Sequence, residues 1–196
     1  MKDLRQYIKG ILLTEAMKTP EMLPENVIVV IEAKDSMYFR AYYALKKYPK
    51  TYSRDPFGQI TFFRPNPEYR GNCDEAFVVG VAAADDGWGP LLYDVAIEQA
   101  TISGNGLTSD RESVSPQAQG VWNYYFNNRP DVEEHQLDSL DNQLTPTDED
   151  NCDQRIARGT VTGMYSTWRD SALSKRYTKA PTTIEALERA GKLVRR

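Results

Sequence analysis

The sequence contains few of the residues that build metal centres and disulfide scaffolds. It has one histidine, His135, and two cysteines, Cys73 and Cys152, among 196 residues. A single histidine excludes a histidine-rich metal site, and the two cysteines match no zinc motif. Two cysteines are also too few for a disulfide framework. We therefore expect two reduced thiols, as in a cytosolic protein, and no metal.

Long hydrophobic runs are missing as well. No apolar stretch approaches the roughly 20 residues that a membrane-spanning helix needs. The charged residues spread through the first 16 positions do not fit a secretory signal. With 40% hydrophobic and 27% charged residues, the composition is that of a globular chain. The length fits one domain with appendages. Because the sequence shows neither a secretory signal nor a membrane span, we expect a cytoplasmic protein without a membrane partner.

Charge is distributed unevenly along the chain. The net charge of −4 argues against nucleic-acid binding by the whole surface. Residues 131–153 carry nine acidic side chains and no lysine or arginine, and they show no periodicity, which predicts a long loop. Residues 173–196 carry seven basic and two acidic side chains. This basic segment is interpreted as a solvated helix face, as a partner of the acidic loop, or as a weak contact to nucleic acid.

The stretch from residue 75 to residue 100 is the most informative part of the chain. An apolar run from Phe77 to Ala84 predicts a buried strand. Gly87, Trp88 and Gly89 then form a turn, and helical spacing begins at Leu91. A glycine loop at a helix start exposes backbone N–H groups beside the positive end of the helix dipole. The pattern predicts a binding site for a phosphate or pyrophosphate, although two glycines are also typical of a plain strand-to-helix turn.

The other elements follow from local patterns. Ser115 and Pro116 are typical of a helix start, and Thr182 or Thr183 is expected to cap a later helix. Further strands are predicted at 27–33, 58–64 and 107–108, and further helices at 3–16, 90–101, 116–127, 171–177 and 183–192. The aromatic-rich segment 37–45 fits either a strand or a helix, and we favour the helix.

The order of strand, glycine loop, helix, short strand and helix resembles the cofactor half of the GCN5-related N-acetyltransferase (GNAT) family. The resemblance covers roughly residues 58–130. The family's pyrophosphate signature is Arg or Gln, two residues, Gly, one residue, Gly or Ala, and it opens the helix after the fourth strand. Ala84, Gly87 and Gly89 stand at these positions. The glycines match, whereas Ala84 provides no donor, and the adjacent Asp85 and Asp86 repel an anion.

The resemblance implies a set of roles for the site. Backbone amides from Trp88 to Leu91 would hold the pyrophosphate of acetyl-coenzyme A. Strand groups around Val79 and Val81 would pair with the pantetheine arm, and backbone N–H groups of the same strand would polarise the thioester carbonyl. Glu75 would act as the base for the amine. The family's acidic tyrosine is replaced here by Trp122, so Tyr124 or Tyr125 would serve as the acid.

The first 16 residues resemble a second kind of sequence. Leu4, Ile8, Ile11 and Leu12 lie on one face of a predicted amphipathic helix. Contractile-tailed bacteriophages package internal proteins through such segments, which bind the prohead scaffold. A prohead protease cuts them after an apolar-x-Glu triplet, as in Leu13-Thr14-Glu15 before Ala16. The resemblance implies a phage protein carried in the virion and delivered to the host cytoplasm.

These observations predict an α/β (α+β) fold, with a GNAT-like, mostly antiparallel mixed sheet flanked by helices. The segments expected are a helical tag and linker at 1–24, the GNAT-like domain at 25–130, an acidic loop at 131–153 and a helical basic extension at 154–196. Two functions follow. The first is an acyltransferase that moves an acetyl group from acetyl-coenzyme A to an amine, either a small molecule or a protein. The second is a non-catalytic virion protein or binding module with a degenerate cofactor site.

Overall fold

Eight strands form one mixed sheet in a computed structural model that describes residues 17–49, 56–141, 144–153 and 168–196. The spatial order is β6-β7-β5-β4-β3-β2-β1-β8. The strands are β1 (Val27–Asp35), β2 (Tyr38–Leu45), β3 (Gly58–Phe63), β4 (Phe77–Ala84), β5 (Leu107–Thr108), β6 (Val132–Gln136), β7 (Lys175–Lys179) and β8 (Leu193–Arg195). The expectation of a mixed sheet in an α+β fold is confirmed.

The helices are α1 (Pro67–Arg70), α2 (Gly89–Ser103), α3 (Pro116–Asn128) and α4 (Thr182–Arg189). The central one is α2, in which every residue from Leu91 to Ala100 is buried. It crosses the sheet and packs on β2, β3, β4, β5 and β7 as well as on α4. None of the helices in the described ranges is long and apolar enough to cross a membrane.

The first four strands form an antiparallel meander. β1 is a run of β-branched residues in which Val27–Ile31 are buried, as befits a strand covered on both faces. The helix favoured for residues 37–45 is wrong and the strand alternative is correct, because residues 38–45 form β2. Pairing with β1 on one side and β3 on the other satisfies the backbone of β2 and places Tyr43 in the main core.

The second half of the sheet contains the larger departures from prediction. The expected loop at 131–153 contains β6, and the expected helix at 171–177 is a single 3-10 turn followed by β7. The strand β7 pairs antiparallel with both β5 and β6. Lys175 and Lys179 of β7 are buried, so part of the basic C-terminal segment belongs to the interior of the fold. The helix expected from residue 183 is confirmed as α4.

The two cysteines are joined, and the prediction of reduced thiols is wrong. Cys73 and Cys152 form a disulfide although 79 positions separate them in sequence. Backbone hydrogen bonds bring the two segments together, because the Cys73 N–H donates to the Asn151 carbonyl at 2.8 Å and the Asp153 N–H donates to the Arg70 carbonyl at 2.9 Å. The amphipathic helix predicted at 3–16 lies outside the described residues.

Candidate functional site

A gap opens in the sheet where β4 and β5 separate. The two strands run parallel, and their pairing covers Phe77 with Leu107 and Val78 with Thr108. β5 ends there, whereas β4 continues for six more residues to Ala84. The burial of β4 falls at the same point, since Phe77–Val79 are buried and Val81–Ala84 are exposed. The far half of β4 therefore presents one edge to a groove.

A β-bulge at Gly80 changes the direction of the backbone groups along this edge. Thr61 is opposite Val81 and Phe62 is opposite Val79, so Gly80 is the extra residue. A Cβ at Gly80 would lie 2.8 Å from the Phe63 ring, which explains the glycine. Bulges commonly re-aim strand groups next to functional sites.

Beyond the bulge, the N–H groups of Val81 and Asp85 point towards β3. Val81 donates to Thr61 Oγ1 at 3.0 Å, and Asp85 donates to the Phe57 carbonyl at 3.0 Å. Backbone polar groups alternate between the two sides of a strand. Ala82 and Ala84 therefore turn their N–H groups towards the gap.

Three adjoining cavities follow the gap from one face of the sheet to the other. The helix-side cavity has a volume of about 350 Å³ and is lined by Ala84, Asp85, Asp86, Gly87 and Gly89, among others. The gap cavity, of about 240 Å³, is lined by Val79–Ala82, Tyr93, Asp110, Ser115 and Trp122. The far-side cavity, of about 890 Å³, is lined by Thr61, Gly80, Val81, Arg70, Asp110 and Arg111. Shared residues join each cavity to the next, which makes one continuous groove.

The glycine loop forms the mouth of the helix-side cavity. Gly87 has a φ of 82°, a conformation that glycine adopts without strain. Helix α2 begins at Gly89, and Pro90 occupies the first turn. Pro90 has no N–H, and the other N–H groups of the first turn have no intrahelical acceptor, so this end of α2 faces the cavity with partial positive charge. The described lining also contains two carboxylates, Asp85 and Asp86, and no lysine or arginine.

Two of the predicted cofactor residues are buried behind this mouth. The Trp88 ring stacks on Phe57 with a centroid separation of 4.4 Å, and the Trp88 carbonyl accepts from the Tyr43 hydroxyl at 2.8 Å. The Trp88 N–H donates to the Asp85 carbonyl. Leu91 is only 2% exposed. Trp88 and Leu91 thus anchor the loop and α2 in the core, while Gly87, Gly89, Val79 and Val81 line the groove.

The residues predicted as acid and base lie away from the groove. The Tyr125 hydroxyl is buried and donates to Asp94 Oδ1 at 2.7 Å and to the Pro90 carbonyl at 3.1 Å. Burial raises the pKa of Tyr125 well above its usual value. Tyr124 packs edge-on against Tyr125. Glu75 precedes β4, with its exposed carboxylate 3.9 Å from Arg64 Nη1.

Sequence reasoning missed Tyr93, which lines both the helix-side and the gap cavity. Its ring packs edge-on against Trp122 at a centroid separation of 5.3 Å. Burial, with a smaller contribution from Asp110, raises the pKa of Tyr93, so the phenol is neutral and can donate a hydrogen bond at any physiological pH. In the sequence, Tyr93 could have been found from its position four residues after Gly89, which places it about one turn into the helix.

Comparisons with protein-family models, with curated proteins and with solved structures each found no match.

Proposed function

We propose that the groove binds an acyl-coenzyme A and that the protein transfers its acyl group to an amine. The observation that carries the proposal is the continuity of the groove from the N-terminus of α2, at Gly87 and Gly89, through the gap between β4 and β5. An anionic pyrophosphate at the helix mouth and an extended thiol arm along an exposed strand edge suit these two parts. The parallel β4-α2-β5 unit followed by α3 is also the element order of the GNAT cofactor half.

The proposed reaction uses groups that the groove presents. The amine, as a neutral base, attacks the thioester carbonyl carbon and forms the C–N bond. The C–S bond breaks, coenzyme A leaves as its thiolate, and the nitrogen releases one proton to solvent. The Ala82 N–H is the proposed donor to the developing oxyanion, and the neutral Tyr93 hydroxyl is the proposed hydrogen-bond donor to the departing sulfur.

A melting experiment tests the binding half of the proposal. Acetyl-coenzyme A at 1 mM is expected to raise the melting temperature, because a ligand that binds the folded state stabilises it. Replacement of the two groove carboxylates in Asp85→Asn/Asp86→Asn is expected to tighten binding by about 3- to 10-fold, since each exposed charge contributes a few tenths to 1 kcal/mol. Isothermal titration at low and high salt measures the change, which should shrink as salt is added.

The matched control is Glu21→Gln/Glu25→Gln, which removes two exposed carboxylates that do not line the groove and should leave the affinity unchanged. If neither the wild type nor the Asp85→Asn/Asp86→Asn variant responds to acetyl-coenzyme A, the acyltransferase proposal fails. A non-catalytic binding module then remains, and Asp85 and Asp86 at the helix mouth are the observation that favours it.

Tyr93 is expected to matter for turnover and not for cofactor binding. Tyr93→Phe should slow thiol release from acetyl-coenzyme A about 100-fold in the presence of primary amines, as for the loss of one donor to a transition state. A thiol-reactive dye follows the reaction. Tyr124→Phe serves as the control and should stay within about 3-fold of the wild type, because Tyr124 does not line the groove. Loss of activity in Tyr124→Phe or Tyr125→Phe alone would return the acid role to those residues.

We also propose, from the first 16 residues, that the protein is packaged into a phage head and delivered to the host cytoplasm. The apolar face of that segment and its Leu13-Thr14-Glu15 triplet support the proposal. Mass spectrometry of protein recovered from particles is the test. An N-terminus at Ala16 is the expected result, and an intact Met1 would contradict it.

A further inference from the structure

Arg111 is a buried cation in the far-side cavity. The residue is 3% exposed, yet it takes part in none of the ion pairs among the described residues. Its Nη1 donates to the Arg70 carbonyl at 3.3 Å and to Cys73 Sγ at 3.4 Å, and its Nε has no hydrogen-bond partner within the described part of the chain. The carboxylates of Asp153, Asp110 and Glu112 act on the Arg111 charge electrostatically, but none of them forms an ion pair with it. Burying a charge without a hydrogen-bonded partner is costly, so an anion that pairs with Arg111 would offset part of that cost.

The neighbouring charges show why Arg111 differs from the other arginine of this cavity. Arg70 is half-exposed and is already paired with Glu112. Burial and the charge of Arg70 lower the pKa of Arg111 to about 10, so its guanidinium is still charged at neutral pH. Arg111 therefore offers donors to an incoming anion, whereas Arg70 has a carboxylate in place.

Asp110 occupies the passage between the far-side and gap cavities. It lines both of them. Its Oδ1 accepts the backbone N–H groups of Glu112 and Ser113, each at 2.7 Å, which holds the carboxylate at the end of β5. An anion on Arg111 would thus have a negative group nearby, on the side from which the acyl group arrives. A phosphate would be repelled by Asp110, whereas a ligand with one negative and one positive group matches both residues.

We propose that the far-side cavity binds the acceptor as a small primary amine that carries a carboxylate, of the size of a free amino acid. The carboxylate lies on the Arg111 guanidinium, whose planar donors suit a carboxylate, and the amine lies towards Asp110 and the gap. This proposal rests on the proposed acyl transfer, in which the amine nitrogen attacks the thioester from the far side of the sheet. The cavity volume of about 890 Å³ is ample for such a molecule.

The test compares each amino acid with the amine that lacks its carboxylate. Titration of the wild-type protein with the twenty amino acids and with their decarboxylated amines needs no cofactor. At least one amino acid is expected to bind saturably, and its amine about 30-fold more weakly, the value of a charge-assisted hydrogen-bonded pair. Equal binding of the two, or no binding of any amino acid, would overturn the proposal.

Variants of Arg111 then locate the contact. Arg111→Gln is expected to weaken the affinity for the best amino acid about 30-fold and to leave the affinity for its decarboxylated amine unchanged. The affinity of Arg111→Lys for the amino acid should lie between those of the wild type and Arg111→Gln. Arg189→Gln, at an exposed arginine that pairs with Glu185 and does not line the cavity, is the matched control and should change the affinity less than 3-fold. Circular dichroism melting checks that each variant is folded. If a variant does not fold, the comparison of amino acids with their decarboxylated amines on the wild-type protein still tests the proposal.

The outcomes also separate this proposal from the acyltransferase proposal. If acetyl-coenzyme A binds and no amino acid does, the proposed class of acceptor is wrong and the acyltransferase proposal remains. Binding of an amino acid without acetyl-coenzyme A overturns acyl transfer and leaves an amino acid site at Arg111.

Discussion

Replacement of Glu98 by alanine is expected to lower the free energy of unfolding by about 3–5 kcal/mol, the usual cost of removing one partner of a buried ion pair. The Glu98 side chain is fully buried and pairs with Lys179 of β7, whose side chain is 2% exposed. Alanine at position 98 would leave the Lys179 ammonium in the interior with the Thr182 and Thr183 hydroxyls as hydrogen-bond acceptors and, as its remaining carboxylate, the half-exposed Asp131 at 3.8 Å.

The same carboxylate also caps helix α4. Its Oε1 accepts the Thr183 N–H at 2.8 Å, and its Oε2 accepts the Ile184 N–H at 2.7 Å. The residue before α4 is Pro181, which has no side-chain acceptor of its own. Glu98 therefore supplies from α2 the cap that the local sequence lacks, and its loss exposes two helix N–H groups as well as the lysine.

Urea denaturation measures this effect. The control is Glu188→Ala on α4, which breaks an exposed pair with Arg195 of β8 and should cost no more than about 1 kcal/mol. Lys179→Met is expected to be milder than Glu98→Ala, because it removes the buried cation and leaves Glu98 with the two helix N–H groups. A Glu98→Ala variant within 1 kcal/mol of the wild type would contradict the assignment.

The part of the fold predicted most accurately has strong local signals. The strand from Phe77, the helix after Gly89 and the short strand at Leu107 lie where apolar runs, glycine and proline place them. The Ser115 cap is also confirmed, since its Oγ accepts the Ala118 N–H at 3.2 Å. Each of these features depends on residues within a few positions of one another, so the sequence alone carries the information.

The elements predicted wrongly depend on distant partners. The segment 38–45 is rich in aromatic residues and carries both helical and strand patterns, and its two neighbouring strands decide between them. Lys175 and Lys179 suggest a solvated helix. They are tolerated inside a strand because Gln136 and Glu98, far away in sequence, accept from their ammonium groups. The cap expected from Thr182 or Thr183 is supplied instead by Glu98, which is also distant in sequence.

The residues of the candidate site also fall into two groups, those placed by local sequence and those placed by packing against distant parts of the chain. Gly87, Gly89, Val79 and Val81 line the groove, and the strand-loop-helix unit that carries them is local in sequence. Tyr93 and Arg111 were missed because the rotation of α2 and the path of the loop after β5 are set by packing against the whole sheet. The burial of Arg111 outside any ion pair has no sequence signature, because it depends on how distant segments pack.

Removal of the Cys73–Cys152 disulfide is expected to lower the free energy of unfolding by about 4 kcal/mol. In the chain-entropy account, a cross-link restricts the unfolded chain more as the closed loop lengthens, and this loop spans 79 positions. The cross-linked sulfurs pack with Leu137 in a small cluster separate from the main core. That cluster has little apolar surface to hold the segment from Leu137 to Asp153 against the sheet once the bond is gone.

Urea denaturation of the wild type with and without reductant, and of Cys73→Ser/Cys152→Ser, checks this prediction. The reduced wild type and the double variant should unfold at similar, lower urea concentrations, and reductant should have no further effect on the variant. Thiol titration of the denatured wild type should find no reactive thiol before reduction and two after it. Two reactive thiols at the start would show that the bond is absent in solution. Equal midpoints for all three samples would contradict the expected stabilisation.

The disulfide also connects stability to the proposed acceptor site. Arg111 Nη1 donates to Cys73 Sγ and to the Arg70 carbonyl, so the cross-linked loop supplies the acceptors that hold the guanidinium in place. Reduction should therefore weaken amino acid binding at Arg111 more than acetyl-coenzyme A binding at the helix mouth, which lies on the other face of the sheet. An equal loss of both would indicate that the bond supports the whole sheet and not the Arg111 loop in particular.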